Sequence, residues 1–392
     1  MPQPLTKRRK ILYSVVTFFI IVVALELGLH AIDFVATRVK QKSPGQGPFR
    51  GLYQGQKWAP DLARESDKPH RDQIYHQYLT WISKPAKGKF VNIDRETGRK
   101  TWNPPDLPKD AAAVFVFGGS AAWGQGARDD YTIASQLSRL LNARKPRFRV
   151  YNFGEPAFTF TQGVLYLITL LRQGHRPNFV IFYDGFNDVY GAYQSGKAGT
   201  LHNVERNRTK LEKKPRHLYW QDVKEWLAEN IYLYNKVINK IYAHFHPQKR
   251  YREAGASLSD QELKTLAAGV VHYYAQSLDL LDHLAKAYGF KYVSFWQPAL
   301  FTETKVLPQE FKVDERLGDR KFGTIYRFTN QYLDRQTLRH FHNIADTVST
   351  RPRACYLDLV HMTEEGYGMV AERIYQVLQQ KSFLSEPGSP GG

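Results

Sequence analysis

Residues 114–124 read VFVFGGSAAWG, and this stretch decides the fold. With the three alanines before it, Ala111–Phe117 is an unbroken apolar run of strand length. That is the pattern of a strand buried on both faces, inside a parallel sheet, rather than one with a wet side. The run stops at Gly118-Gly119-Ser120, and a helical segment begins soon after. A strand–turn–helix of this kind puts Ser120 at the carboxyl end of the sheet, where open α/β folds bind ligands. The glycines allow tight backbone geometry and close approach of a substrate.

Outward from that strand, helices and strands alternate. Thr132–Ala143 has helical spacing, Phe148–Phe153 reads as a strand, Thr161–Leu171 as a helix and Asn178–Tyr183 as a third strand. A long helix over Asp260–Tyr288 opens with Ser259 and Glu262, a capping-box pattern, and leads to a strand at Tyr292–Phe295. Ala354–Leu357 reads as a last strand and Glu364–Gln380 as a final amphipathic helix. Alternation predicts a parallel sheet with helices on both faces. Residues 190–256 interrupt it as an insertion. Its RNRTKLEKKPR run at 206–216 is followed by a stripe of Val223, Trp226, Leu227, Tyr234, Val237, Ile238 and Ile241. Each charge alone reads as solvated; as a unit the insertion is a candidate basic lid.

At the amino end, Lys7, Arg8, Arg9 and Lys10 (residues 1–10 forming a basic terminus) precede an uncharged run from Ile11 to Leu25, and apolar character continues past Glu26 to Ala36. Residues 11–36 are expected to cross a membrane as an uncleaved signal anchor, since no small-x-small cleavage site follows. The basic cluster would stay in the cytoplasm and the remainder lie outside it. A Pro/Gly-rich linker fills 37–51, an irregular or small β decoration 52–110, and a disordered tail 381–392. The chain has 55 basic and 37 acidic residues, a net charge of +18, with 42% apolar and 14% aromatic residues. That composition excludes disordered and collagen-like classes. Across a membrane the charge points to acidic glycans or headgroups and not to nucleic acid. A single cysteine, Cys355, excludes an internal disulfide.

Three further segments carry chemistry. Asp358-Leu359-Val360-His361 precedes a helix for which Thr363 is a suitable cap. A serine hydroxyl needs a base, and a histidine base needs a carboxylate to fix its tautomer. Asn152-Phe153-Gly154 closes the second strand and Gly185-Phe186-Asn187-Asp188 follows the third. Gly154 offers an N–H and Asn187 a carboxamide to a tetrahedral oxyanion. Trp123 and Gln297 are candidate substrate contacts. His244-Phe-His246 and His340-Phe-His342 lack a third ligand in the sequence, so no metal site is expected, and no nucleotide-binding glycine loop of the required form occurs.

Taken in order, strand–GGS, strand–NxG, strand–GxND and DxxH–helix resemble the SGNH (GDSL-like) hydrolase family over about residues 111–380. The resemblance implies a three-layer α/β/α, flavodoxin-like fold with a mostly parallel five-stranded sheet. It implies Ser120 as nucleophile, His361 as base and Asp358 as its orienting carboxylate. The Ser120 N–H, Gly154 and Asn187 would form the oxyanion hole, with no cofactor. Gly119 stands where the GDS form has Asp. The expected function is an anchored, extracytoplasmic serine esterase acting on acyl, foremost acetyl, esters of a glycan or lipid. An O-acetyltransferase acting on an exported polysaccharide and a non-catalytic anchored glycan-binding protein are the alternatives.

Overall fold

The computed structural model describes residues 6–42, 52–53, 55–204, 253–303 and 320–380, together with positions 223, 226–227, 231–232, 234 and 307. Residues 47–205 and 252–392 form one compact unit; residues 1–46 and 206–251 form another.

The larger unit is built on a seven-stranded sheet. Its strands are β3 (Ile93–Asp94), β4 (Gly98–Arg99), β5 (Ala112–Gly118), β6 (Phe148–Asn152), β7 (Phe179–Asp184), β8 (Lys291–Trp296) and β9 (Phe341–Asn343). The order is β3-β4-β6-β5-β7-β8-β9, and every pairing except β3–β4 is parallel. A separate antiparallel hairpin joins β1 (Ile74–His76) to β2 (Thr80–Ile82). From β5 the chain moves first to β6 on one side and then to β7 on the other. The carboxyl end of β5 is therefore the switch point at which doubly wound folds place their ligands.

The apolar run of β5 is explained by this central position: Val114, Phe115, Val116 and Phe117 are all buried. Helix α4 (Ile133–Asn142) packs on β6 and on α9 (Glu364–Gln380), whereas α5 (Phe160–Arg172) packs on β5, β7 and α7 (Asp260–Tyr288). Helices α6 (Phe186–Ser195) and α8 (Arg320–Asp334) pack on each other and on α7. Start and stop residues behave as their chemistry requires. Thr132 accepts from the Ser135 N–H at the start of α4, and Ser259 and Glu262 form a reciprocal capping box on α7.

Two differences from the sequence expectation concern the sheet. It has seven strands and not five, because β3 and β4 of the 52–110 segment extend its edge. Ala354–Leu357 is not a strand of this sheet. Its backbone is spent on the segment that returns beside it, with Leu357 N donating to His361 O and Thr363 N to Cys355 O, both at 2.8 Å. The outer strand is β9 instead, carrying His342. The insertion also begins later than 190: Tyr190 and Tyr193 of α6 pack against Phe322 of α8. The basic run at 206–216 and His244-Phe-His246 lie outside the described residues.

In the smaller unit, α1 (Lys7–Lys42) is long and apolar enough to cross a membrane. The qualifying span is Lys7–Ile32, with a mean hydropathy of 2.4, four residues earlier at each end than 11–36. At 1.5 Å per residue it extends about 39 Å, beyond the ~30 Å hydrocarbon core. Glu26 is not left unpartnered in it: the Tyr232 N–H donates to its carboxylate at 2.5 Å, and His30 lies one turn on at 3.4 Å.

Candidate active site

Ser120 opens the four-residue helix α3 (Ser120–Trp123) directly after β5, so its N–H is one of the first-turn groups with no partner inside the helix. The loop before α9 brings the other two groups. His361 Nε2 lies 2.6 Å from Ser120 Oγ, and His361 Nδ1 lies 2.6 Å from Asp358 Oδ2. The second Asp358 oxygen accepts from the backbone N–H groups of Val360 (3.0 Å) and His361 (2.8 Å). Burial by itself pushes the Asp358 carboxyl up. The His361 charge and these hydrogen bonds outweigh it and hold the group below the usual carboxylate range. An ionised Asp358 keeps the proton on Nδ1, which leaves Nε2 to accept from the Ser120 hydroxyl. The arrangement can deprotonate a serine as it attacks a carbonyl and can then protonate the leaving group.

The His361 loop is fixed from several directions. Glu364, three residues on, receives two side-chain hydrogen bonds from Arg128 (2.8 and 2.7 Å) and one from its backbone N–H. The Glu364 N–H donates to the Tyr53 hydroxyl, which donates in turn to Gly126 O, on the loop that follows the nucleophile helix.

The groups expected on the oxyanion side come from three segments. Asn187 Nδ2 donates to Phe158 O at 2.8 Å, leaving its second hydrogen for a ligand. A Cβ on Gly119 would lie 2.3 Å from that nitrogen, so in this chain a side chain at 119 and the carboxamide cannot both keep these positions. We expect Gly119→Asp to displace Asn187 and lower kcat about a hundredfold to a thousandfold, the scale of a lost oxyanion donor, measurable with an activated acetate ester. Gly154 is equally constrained, since a Cβ would lie 2.5 Å from Trp123 N. Its N–H is engaged in the resting structure, donating to Asn152 Oδ1 at 3.0 Å, while Asn152 Nδ2 donates to Ala122 O.

Of the two candidate substrate contacts, Trp123 is corrected to a packing residue. It is 1% exposed, clustered with Leu62, Val91 and Ile93 and covered by the Arg99 guanidinium at 4.0 Å. Segment 52–110 buries it. Gln297 is also buried, at 2% exposed, with its backbone N–H on Asp184 O. His340 lies 3.8 Å from Asp282 and His342 beside Phe295; among the described residues no three His, Cys, Asp or Glu side chains gather as a metal site.

Residues that the motifs do not mark also shape the site. Arg99 of β4 donates to Trp123 O, Gly124 O and Ala127 O, at the carboxyl end of the nucleophile helix. Behind Gly154, Glu155 is buried and accepts from Ser83 N (2.9 Å) and Ser83 Oγ (2.6 Å). Burial pushes its carboxyl from 4.5 up to about 7. Between these values the unfolded chain releases a proton that the folded chain retains. The raised group therefore stabilises the fold at low pH and that contribution is lost as pH rises through about 7, on the order of 3 kcal/mol in all. Glu155→Gln should flatten denaturant stability between pH 4.5 and 7.5 while keeping an acceptor for Ser83.

The GDSL-like Lipase/Acylhydrolase family model matches residues 114–374, and the chain belongs to that family of ester-hydrolysing enzymes. Similar solved structures include a carbohydrate acetylesterase family member from Sinorhizobium meliloti. It is 12% identical, over 69% of this chain and 98% of that one, with a TM-score of 0.35. A member of the lipolytic protein G-D-S-L family from Veillonella parvula is 11% identical over 69% and 100%, with a TM-score of 0.36. The acetyl xylan esterase AlAXEase is 12% identical over 68% and 99%, with a TM-score of 0.35. No curated protein matches the sequence.

Proposed function

We propose that the protein is a membrane-anchored serine esterase whose catalytic unit lies outside the cytoplasm and removes acyl groups, foremost acetyl, from a glycan. Ser120 Oγ attacks the ester carbonyl while His361 takes its proton and Asp358 steadies the resulting imidazolium. The Ser120 N–H and the free Asn187 hydrogen receive the oxyanion, joined by the Gly154 N–H when it turns from Asn152. Collapse expels the sugar hydroxyl, protonated by His361, and leaves an acyl-serine that water hydrolyses. The observation that carries this reading is the unbroken chain Asp358–His361–Ser120, two contacts of 2.6 Å each.

The apolar helix α1 with the basic cluster Lys7–Lys10 before it supports the anchor and its orientation. The +18 charge supports an anionic surface or polymer nearby. Full-length protein in detergent should be treated with a fluorophosphonate, digested and analysed by mass spectrometry. A single adduct on Ser120, with p-nitrophenyl acetate turned over faster than the octanoate, is expected. Absence of an adduct from folded protein would sink the serine reading; preference for long chains would replace the acetyl ester with a lipid ester. Protease accessibility from the outer face of intact cells tests the orientation.

A further inference from the structure

The β1–β2 hairpin carries aromatic rings that the catalytic reading leaves without a task. Tyr75 is 81% exposed, and among the described residues its ring stacks on no other ring and its hydroxyl makes no hydrogen bond. Its cross-strand partner is Trp81, so the two side chains stand on one face with Cβ atoms about 5 Å apart. Trp81 is half-buried and held: its indole N–H donates to Pro156 O at 3.0 Å, and its ring meets Phe158 edge-on at 6.0 Å. Pro156 is two residues beyond Gly154, a separation of at most about 7 Å along the chain. Phe158 O is the acceptor that positions Asn187. The aromatic face therefore adjoins the 154–158 segment, which carries Gly154 and the carbonyl that positions Asn187 on the proposed oxyanion side.

The hairpin is also forced into its shape. Thr80, a β-branched residue, has φ +76°, a conformation such residues rarely adopt. Leu79 is fully buried, and its carbonyl accepts from Gln162 Nε2 of α5 at 2.9 Å. Strain of this kind persists only where the surroundings over-determine it, and it concentrates at ligand clamps.

We infer that Tyr75 and Trp81 form a stacking platform for a pyranose ring of the polymer whose ester reaches Ser120. This rests on the glycan-esterase reading and deepens it by assigning the residues that hold the sugar ring. An open pair of rings with polar edges suits a sugar, which presents an apolar C–H face and a hydroxyl rim. An acyl tail asks instead for an enclosed apolar slot. A platform beside the oxyanion loop would bind the sugar on the leaving-group side, raising the occupancy of a polymer over a small ester.

The test compares full-length wild type, Tyr75→Ala and Tyr75→Phe in detergent. Each is assayed on p-nitrophenyl acetate and on acetylated xylo- and galacturonate oligosaccharides of four to six sugars. The readout is kcat/KM on the better oligosaccharide divided by kcat/KM on p-nitrophenyl acetate. We expect this ratio to fall about tenfold in Tyr75→Ala, mainly through KM, and to be retained in Tyr75→Phe, which keeps the ring. An unchanged ratio in Tyr75→Ala overturns the platform. So does a wild type that turns over p-nitrophenyl acetate but neither oligosaccharide. Failure of the esterase reading looks different, with no turnover of any ester and no fluorophosphonate adduct on Ser120.

Discussion

Ser120→Ala is expected to lower ester turnover by at least about 10⁴-fold and to abolish the fluorophosphonate adduct, with little change in thermal stability. In the proposed mechanism this hydroxyl forms the bond to carbon, and among the described residues it is the one hydroxyl or thiol hydrogen-bonded to the His361 imidazole. What survives is the oxyanion hole and binding, which in serine hydrolases leave a small residual rate. Removing one oxygen from a residue that is 8% exposed and hydrogen-bonded to one imidazole disturbs packing little. Asp358→Asn should cost a comparable factor for a different reason. A carboxamide presenting its NH₂ to Nδ1 favours the tautomer with the proton on Nε2, so the ring can no longer accept from Ser120. The two variants separate in one measurement: Asp358→Asn keeps the nucleophile and should still be labelled slowly, whereas Ser120→Ala should not be labelled at all. Equal turnover by wild type and Ser120→Ala would remove Ser120 from the mechanism.

The parts of this molecule that can be read from its sequence are those whose physics is local. The seven-residue strand β5 announces itself because both its faces are buried and every position must be apolar. Helix α7 is legible to the residue, Asp260–Tyr288, because Ser259 and Glu262 mark its start and Gly289 its end. Ser120, Asn187 and His361 are legible because each follows a strand or precedes a capped helix with recognisable punctuation. Strand β9 is not, since three half-buried residues carry too little pattern to show a period. Ala354–Leu357 reads as a strand because it is apolar, yet its hydrogen bonds are claimed by the returning His361 loop. The 52–110 segment hides most. Arg99, within Gly98-Arg99-Lys100, looks like surface charge, and only the fold reveals that it is wholly buried. Trp123 errs in the same way: proximity to Ser120 along the chain says nothing of what folds back over the indole.

Arg99→Ala should be among the most damaging substitutions outside the reacting groups. The guanidinium is 0% exposed, pairs with Asp129 at 3.2 Å and gives three of its four other hydrogens to Trp123 O (2.9 Å), Gly124 O (2.8 Å) and Ala127 O (2.6 Å). Burial pushes the two partners in opposite directions, the arginine down and Asp129 up, and their mutual attraction opposes both shifts. Deleting one partner of such a pair leaves the other buried and uncompensated, a loss of about 3–5 kcal/mol. Three carbonyls also lose a donor, although Asn152 Nδ2 still reaches Trp123 O and Ala127 N still donates to Gly124 O. The loss is not confined to stability, because two of those carbonyls end the helix that Ser120 begins, only four residues long. A nucleophile displaced by 1 Å can lose about a hundredfold in rate. Arg99→Lys keeps the charge near Asp129 but cannot reach three carbonyls in a fixed fork. It should therefore fold, with a lowered denaturation midpoint, and acylate at least tenfold more slowly while KM for p-nitrophenyl acetate changes less. A brace that served stability alone would give an Arg99→Lys protein of lowered midpoint and undiminished acylation rate. The expected pairing of both defects follows from where β4 lies: a strand before the matched family region reaches under the nucleophile and holds it from behind.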